Sequence, residues 1–269
     1  MPSAHAQSLS VGMAGGTVNY QGDLQESRFV SQDFHFYGGV NAHYEMDWRF
    51  AFTGEIGFGQ LSGRDRLRNY ARNLQFDSRL FDLTLSGRFN LFNFRDVPFV
   101  PYVSSGITVF HIDPYTADAS GARVFLFPLR LEGQGLAQYP ERKYQRRINI
   151  AIPMSGGVEL RLTQSLKVDL EVTLRKTFTD YVDDVSTNYP DPSLLMSYTG
   201  PKAVELSYRG DELTDGSPFF PSGAQRGSPT GDDWYNALRI RIRCNIVDWA
   251  LNRKQDVILF RKQGWPYQW

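Results

Sequence analysis

The sequence predicts an all-β chain: an eight-stranded antiparallel transmembrane β-barrel with long connections at one end, short turns at the other and a C-terminal tail. Three observations carry this. Apolar residues recur at every second position, the strand period that sends successive side chains to opposite faces. In residues 165–175 they are Leu166, Val168, Leu170, Val172 and Leu174, and in residues 234–246 they are Trp234, Leu238, Ile240, Ile242 and Ile246. The opposite face is charged, with Lys167, Asp169, Glu171 and Arg175 on the first arm and Arg239, Arg241 and Arg243 on the second. Finally, the connections alternate between short and long along the chain.

The first strand spans about residues 8–20, with Leu9, Val11 and Met13 on one face, and a polar connection follows to Asp33. The second, residues 34–46, shows Phe34, Phe36, Val40, Ala42 and Tyr44. Asp47-Trp48 makes a tight turn into the third, which sets Phe50, Phe52, Ile56 and Phe58 against Arg49, Thr53 and Glu55. A basic connection, residues 62–75, leads to the fourth, where Phe81, Leu83, Leu85, Phe89 and Leu91 oppose Asp82, Thr84, Ser86, Arg88 and Asn90. The fifth, residues 99–112, is less regular: Val103, Ile107 and Val109 share a face, Tyr102 and Phe110 lie on the other, and Pro101 suits a strand start. After residues 113–144, the sixth strand carries Ile148, Ile150, Ile152, Met154, Val158 and Leu160 opposite Arg147, Asn149, Ser155, Glu159 and Arg161. The seventh and eighth are the two arms above, separated by the longest connection, residues 180–233.

Such alternation suits a soluble sheet with its charges in water, or a barrel in lipid with its charges in the lumen. Short turns after strands two, four and six, long connections after the odd strands and an even strand count are the transmembrane pattern. A soluble sandwich or lipocalin-like barrel has no reason for one-sided loops. Each strand is about 12 residues, enough for a tilted crossing that needs ~9–11. A mean hydropathy of −0.39 is compatible with this, because only alternate residues need be apolar. Lysine plus arginine and aspartate plus glutamate number 29 each, so general nucleic-acid affinity is not expected. Large inward residues of both signs imply a filled lumen rather than a pore. Ala4-His5-Ala6 followed by Gln7 fits a small-residue cleavage site, so residues 1–6 read as a signal-peptide remnant, 7–247 as the barrel and 248–269 as a periplasmic tail. Loops containing Arg66, Tyr139 and Pro192 are then expected outside the cell, with both termini periplasmic.

Chemistry is sparse. Asp180, Asp183 and Asp184 could hold calcium, but their spacing is not that of an EF-hand loop, and aspartates bonded to nearby backbone are the simpler reading. Arg64, Arg66, Arg68 and Arg72, and Arg142, Lys143, Arg146 and Arg147, form two basic stretches suited to lipid headgroups, a partner or plain solvation. His5, His35, His43 and His111 show no metal-motif spacing. A rim lipid hydrolase would need a serine beside a histidine, and the strand ends near Ser78 and Arg147 offer no outward one. No phosphate-binding glycine loop or nucleophile elbow occurs. The single cysteine, Cys244, excludes an internal disulfide and reads as a small buried hydrophobe. No enzyme activity, cofactor or metal is expected.

Several stretches together carry a resemblance: Asn19-Tyr20-Gln21-Gly22-Asp23; Glu132-Gly133-Gln134-Gly135-Leu136 with Tyr139-Pro140-Glu141-Arg142-Lys143; Ile150-Ala151-Ile152-Pro153; residues 175–186, including Thr179-Asp180-Tyr181-Val182-Asp183-Asp184-Val185-Ser186; and Arg226-Gly227-Ser228-Pro229 before Asp232-Asp233-Trp234-Tyr235. They resemble the PorG-type outer-membrane β-barrels of the Bacteroidota, associated with the type IX secretion system. The resemblance spans most of the barrel and implies a non-catalytic outer-membrane protein that contacts a periplasmic ring of a lipoprotein and its partner, or the translocon. A general surface or transport barrel is the alternative, and an outer-membrane lipid hydrolase the weaker one.

Two sets of residues are singled out. Asp169 and Glu171 on strand seven and Arg241 and Arg243 on strand eight are expected to form a lumenal charge network. In the tail, Trp249, Val257, Ile258, Phe260, Trp265, Tyr267 and Trp269 are candidate partner-binding residues, since aromatic groups mark interface hot spots and an extended apolar run can add to a partner sheet. The competing reading folds the tail back under the barrel or lays it along the inner leaflet, where Trp and Tyr favour the interface.

Overall fold

A computed structural model of the chain describes residues 8–25, 33–65, 70–92, 99–163 and 165–246. The strands are β1 (Ser8–Gln21), β2 (His35–Glu45), β3 (Phe50–Arg64), β4 (Gln75–Asn90), β5 (Phe99–His111), β6 (Tyr115–Ala117), β7 (Arg123–Phe125), β8 (Ile148–Arg161), β9 (Leu166–Thr177) and β10 (Trp234–Asn245). All pairings are antiparallel, and β1 pairs with both β2 and β10, so the eight long strands close into a barrel. The short hairpin β6–β7 hangs from β4 through Asp77 and Tyr115. Closure removes the edges that an open sheet would leave unpaired.

Side-chain parity divides each strand as the alternation requires. Met13, Phe36, Ile56, Leu85, Ile107, Ile148, Leu170 and Ile240, one from each barrel strand, point outward and are between 52% and 71% exposed. An apolar belt on every strand of a closed barrel is the surface of a transmembrane barrel, where hydrocarbon replaces water. Cys244 belongs to this belt: it is exposed on the outside of β10, not buried as its residue type suggested.

The two ends differ. At the turn end, Asp47 Oδ1 accepts from the backbone of Arg49 and Phe50, both at 2.7 Å, which closes the β2–β3 turn. At the other end, the expected loops form a packed cap. Its helices are α1 (Pro192–Thr199) and α2 (Pro201–Ser207). Asp191 caps α1 by accepting from Ser193 N at 2.7 Å, and proline opens both helices. Gly200, at φ +88°, makes the break between them, a conformation costly for other residues.

One apolar core runs from barrel to cap. Tyr20, Tyr37, Phe76, Phe110 and Tyr235 fill the cap end of the lumen, and Phe127, Leu131, Val182, Val185, Leu195 and Leu206 continue the same cluster above it. Tyr102 and Phe110, irregular in the strand pattern, are lumenal: Phe110 packs on Tyr235 at 5.3 Å between ring centroids.

Candidate functional site: a charged lumen closed by a packed cap

Below the apolar layer the lumen is a lattice of ion pairs. Register sets Asp169 opposite Arg241 and Glu171 opposite Arg239. Arg243 meets Asp169 at 2.9 Å, and Arg241 meets Glu171 at 3.1 Å and Asp169 at 3.6 Å. The four residues singled out above therefore lie together, within a larger set. Arg239 sits between Glu55 and Glu171. Arg88 reaches across the lumen to Asp169 at 3.1 Å and contacts Glu159, which also receives Arg243. Lys167 binds Glu45, and Arg175 lies 3.7 Å from Asp82. Tyr102 donates to Glu171 at 2.8 Å while its ring carries the Arg88 guanidinium at 3.6 Å.

These links join strands that are not neighbours, such as β3 with β10, β4 with β9 and β2 with β9. Nearest-neighbour reasoning from sequence finds the β9–β10 part and misses Glu159 with Lys167, 3.6 Å apart on the adjacent strands β8 and β9. The long arginines have room because the lumenal positions of β1 are Gly12, Ala14 and Gly16. A Cβ at Gly12 would lie 2.7 Å from Arg243 Cγ, and one at Gly16 would lie 2.0 Å from Leu238 O and 2.8 Å from Arg239 Cα. The charged mid-section, lined by Glu55, Arg88, Glu171, Arg239 and Arg241, keeps about 10 Å³ of free space, room for about one water.

Among the described residues one group has the proximity of a metal site: His43, Glu45 and Glu159, with donor atoms within 4.8 Å of one another. Lys167, Arg88 and Arg243 already contact its carboxylates, so it is an ion-pair junction whose cations are side chains. His111 is exposed on the lipid side of β5. A histidine–serine contact that the sequence did not reveal joins His35 Nε2 to Ser62 Oγ at 2.6 Å, but Ser62 is fully buried. It is a packing contact between strand ends.

The cap is organised on Glu132. Its carboxylate accepts from Ser186 N (2.9 Å), Thr187 N (2.9 Å), Thr187 Oγ1 (2.6 Å) and the Arg226 guanidinium (2.9 Å). Gly133 and Gly135, both at φ +73°, shape the turn that presents it. Arg226 also donates to the Asp184 carbonyl at 2.6 Å and the Ser207 carbonyl at 3.2 Å, tying both limbs of the long connection together. The stretches starting at Glu132, Thr179 and Arg226 thus meet in one buried knot over the barrel mouth. Arg72 and Arg142, read from sequence as part of basic surface stretches, are ties: Arg72 grips Asp65 and the Asp23 carbonyl, and Arg142 grips the Glu132 and Asn188 carbonyls. Arg66 and Arg68 lie outside the described residues.

Beneath the knot the aspartates gather. Asp183 accepts from Tyr20 Oη at 2.6 Å and Val185 N at 2.9 Å, and Asp233 from Tyr20 Oη at 3.1 Å and Val182 N at 2.8 Å. Such backbone contacts are those expected of a structural loop. Burial, reinforced by Glu132 and Asp183 and opposed by Arg226, pushes the Asp184 carboxyl up to about 8. Burial, then Asp183 and Asp23, pushes Asp180 up to about 8 as well. Asp183 and Asp233 are raised by burial and by nearby carboxylates. The tail candidates Trp249, Val257, Ile258, Phe260, Trp265, Tyr267 and Trp269 lie outside the described residues.

A family model described as a domain of unknown function (DUF6089) matches residues 1–124. No curated protein matches the sequence. Among solved structures, the chain is similar to neisserial surface protein A, with 10% identity, 90% of this chain and 100% of that one covered, and a TM-score of 0.44. It is similar to Ail, the attachment invasion locus protein of Yersinia pestis, with 8% identity, coverage of 89% and 97%, and a TM-score of 0.40. A major outer membrane protein from Thermus thermophilus gives 12% identity, coverage of 90% and 100%, and a TM-score of 0.38.

Proposed function

We propose that the chain is a non-catalytic outer-membrane barrel that anchors a periplasmic ring or translocon subunit of a type IX protein secretion system, with the cap outside and both termini in the periplasm. The observation that carries the reading is the convergence, in one buried knot, of the stretches on which the resemblance to PorG-type barrels rests: those at Glu132, Thr179 and Arg226. The filled lumen supports an anchor over a transport barrel, which needs a path for solute. The test is capture of the tagged, full-length protein from native membranes of its source, with an unrelated outer-membrane barrel as control. The expected result is enrichment of periplasmic secretion subunits, reduced or lost when the chain ends at Val247. Partner recovery no greater than the control would overturn the reading. Undiminished recovery after truncation would move the docking element to the periplasmic turns.

A further inference from the structure

Where the strands approach the cap, the apolar belt ends differently on the two sides of the barrel. On β4, β5, β8 and β9 the outer face passes from apolar to basic. Toward the cap, Arg79 succeeds Leu83 and Phe81 on the outer face of β4, and Lys176 succeeds Val172 and Leu174 on that of β9. His111 lies between them, opposite Phe81 on β4 and Ile148 on β8. Arg146 is exposed two residues before Ile148. The same face continues onto the β6–β7 hairpin, because directly opposed residues share a face of a sheet: Tyr115 stands opposite Asp77, Phe125 opposite Tyr115 and Arg123 opposite Ala117. Arg123 lays its guanidinium over the Tyr115 ring at 4.3 Å.

These cations have no counter-ion in the protein. Among the described residues Arg79, Arg123, Arg146 and Lys176 make no ion pair. The two carboxylates on this face are occupied, Asp113 by Arg147 at 3.0 Å and Asp77 by the Gln60 amide, which donates to it at 3.1 Å. The other side of the barrel is neutral: the outward residues at the cap ends of β1, β3 and β10 include Asn19, Gln60 and Asn236, and Arg64 lies 3.6 Å from Asp33. Unpaired charge is thus gathered on one side, against the edge of the apolar belt. Phe81, Ile148 and Phe178 flank it, each more than half exposed. Aromatic rings and the stems of lysine and arginine suit the bilayer interface, where the charged ends reach the headgroups. Charge on a lipid-facing strand is tolerated there and not at mid-bilayer. A molecule that satisfies this face carries hydrocarbon and negative charge together. Phosphate is the anion that guanidinium groups match best, through paired donors. The cations also fall into two groups, Arg79 and Arg123 at β4 and Arg146 and Lys176 at β8 and β9. Two to three strand spacings separate them, ~10–14 Å. A lipid with one phosphate meets one group, whereas a wide headgroup with a phosphate at each end meets both.

We propose that the outer face of β4, β5, β8 and β9 below the cap binds a diphosphorylated glycolipid, of the lipid A class, in the outer leaflet. The leaflet rests on the outward cap orientation, whereas binding in micelles does not, so the two fail separately. The test is native mass spectrometry of the full-length protein in neutral micelles, offered diphosphoryl lipid A, phosphatidylglycerol or phosphatidylcholine. Wild type is compared with the triple variant Arg79→Gln, Arg146→Gln, Lys176→Gln and with Arg49→Gln at the turn end, heat-modifiability confirming an intact barrel. Wild type and Arg49→Gln are expected to retain lipid A above both phospholipids, and less of it as NaCl is raised. The triple variant should retain at least fivefold less. No retention by wild type, equal retention by the triple variant, or phosphatidylglycerol held as strongly as lipid A would overturn the proposal. Labelling of Ser197→Cys on intact cells, in a Cys244→Ser background, tests the leaflet alone: a labelled cap supports the outer one, and a cap that labels only in broken cells overturns that assignment.

Discussion

Lumen and cap are built from the same pair of groups, carboxylate and guanidinium, in different proportions. In the lumen, Glu45, Glu55, Asp82, Glu159, Asp169 and Glu171 each have a lysine or arginine within ion-pair distance, and several have two or three. In the cap, Asp180, Asp183, Asp184 and Asp233 crowd beneath Glu132, none of them in an ion pair among the described residues, while Glu132 itself pairs with Arg226. A buried charge is costly unless paired and hydrogen-bonded. The lumen meets that condition by pairing. The cap meets it with backbone N–H and tyrosine donors, and by holding carboxyls in a range where they take up protons near neutral pH. The lumen is therefore a structure of fixed charge, and the cap one whose charge depends on the medium.

The largest expected effect breaks the lumenal lattice. Glu171→Ala leaves Arg239 and Arg241 short of a partner and frees the Tyr102 hydroxyl. Removing one partner of a buried pair costs ~3–5 kcal/mol, so the barrel's denaturant midpoint, followed by loss of heat-modifiability, should fall clearly. Gln225→Ala, in the cap, should leave that midpoint where it was. Arg226→Ala is expected to cost about 3 kcal/mol, confined to the cap, because Glu132 keeps its bonds to Ser186 and Thr187. Limited proteolysis should then cut within residues 113–147 or 178–233 while the barrel stays heat-modifiable; simultaneous loss of both would mean that the regions are not separable. A smaller effect sharpens the packing argument. Gly16→Ala, facing Leu238 O and Arg239, should cost about 2 kcal/mol, and Gly15→Ala, with nothing within 4 Å of the added carbon, should be close to neutral in the same assay.

These contrasts also separate what the sequence made legible from what it did not. The barrel strands were readable because a pleated strand sorts side chains by parity, and the lipid face and charged face of β9 and β10 are each continuous. Asp169, Glu171, Arg241 and Arg243 were within reach because adjacent strands bring them together. Glu55 and Arg88 were not, since their ion-pair partners lie on strands that are not neighbours, and Glu159 has only Lys167 on an adjacent strand beside its partners Arg88 and Arg243 farther round the barrel. The cap was read as loops for the same reason. Its knot joins residues far apart in sequence, such as Glu132 with Arg226, and α1 is too short for a periodic signal. Asp191-Pro192 was the available sign, an N-cap followed by proline at the first helical position.

The comparison is tested most directly by following both regions against pH in one protein. In a Cys244→Ser background, a dye on Ser197→Cys, exposed on α1, reports the cap, and heat-modifiability reports the barrel. Asp180 and Asp184 titrate near 8 in the folded cap, against ~3.9 when unfolded. Between those values the folded cap holds more protons than the unfolded chain, so its stability falls as pH rises through this window and levels off above it. The expected result is a lower urea midpoint for the cap at pH 8.5 than at pH 5.5, with the barrel midpoint equal at both. A cap midpoint that is unchanged, or that rises with pH, would contradict the account.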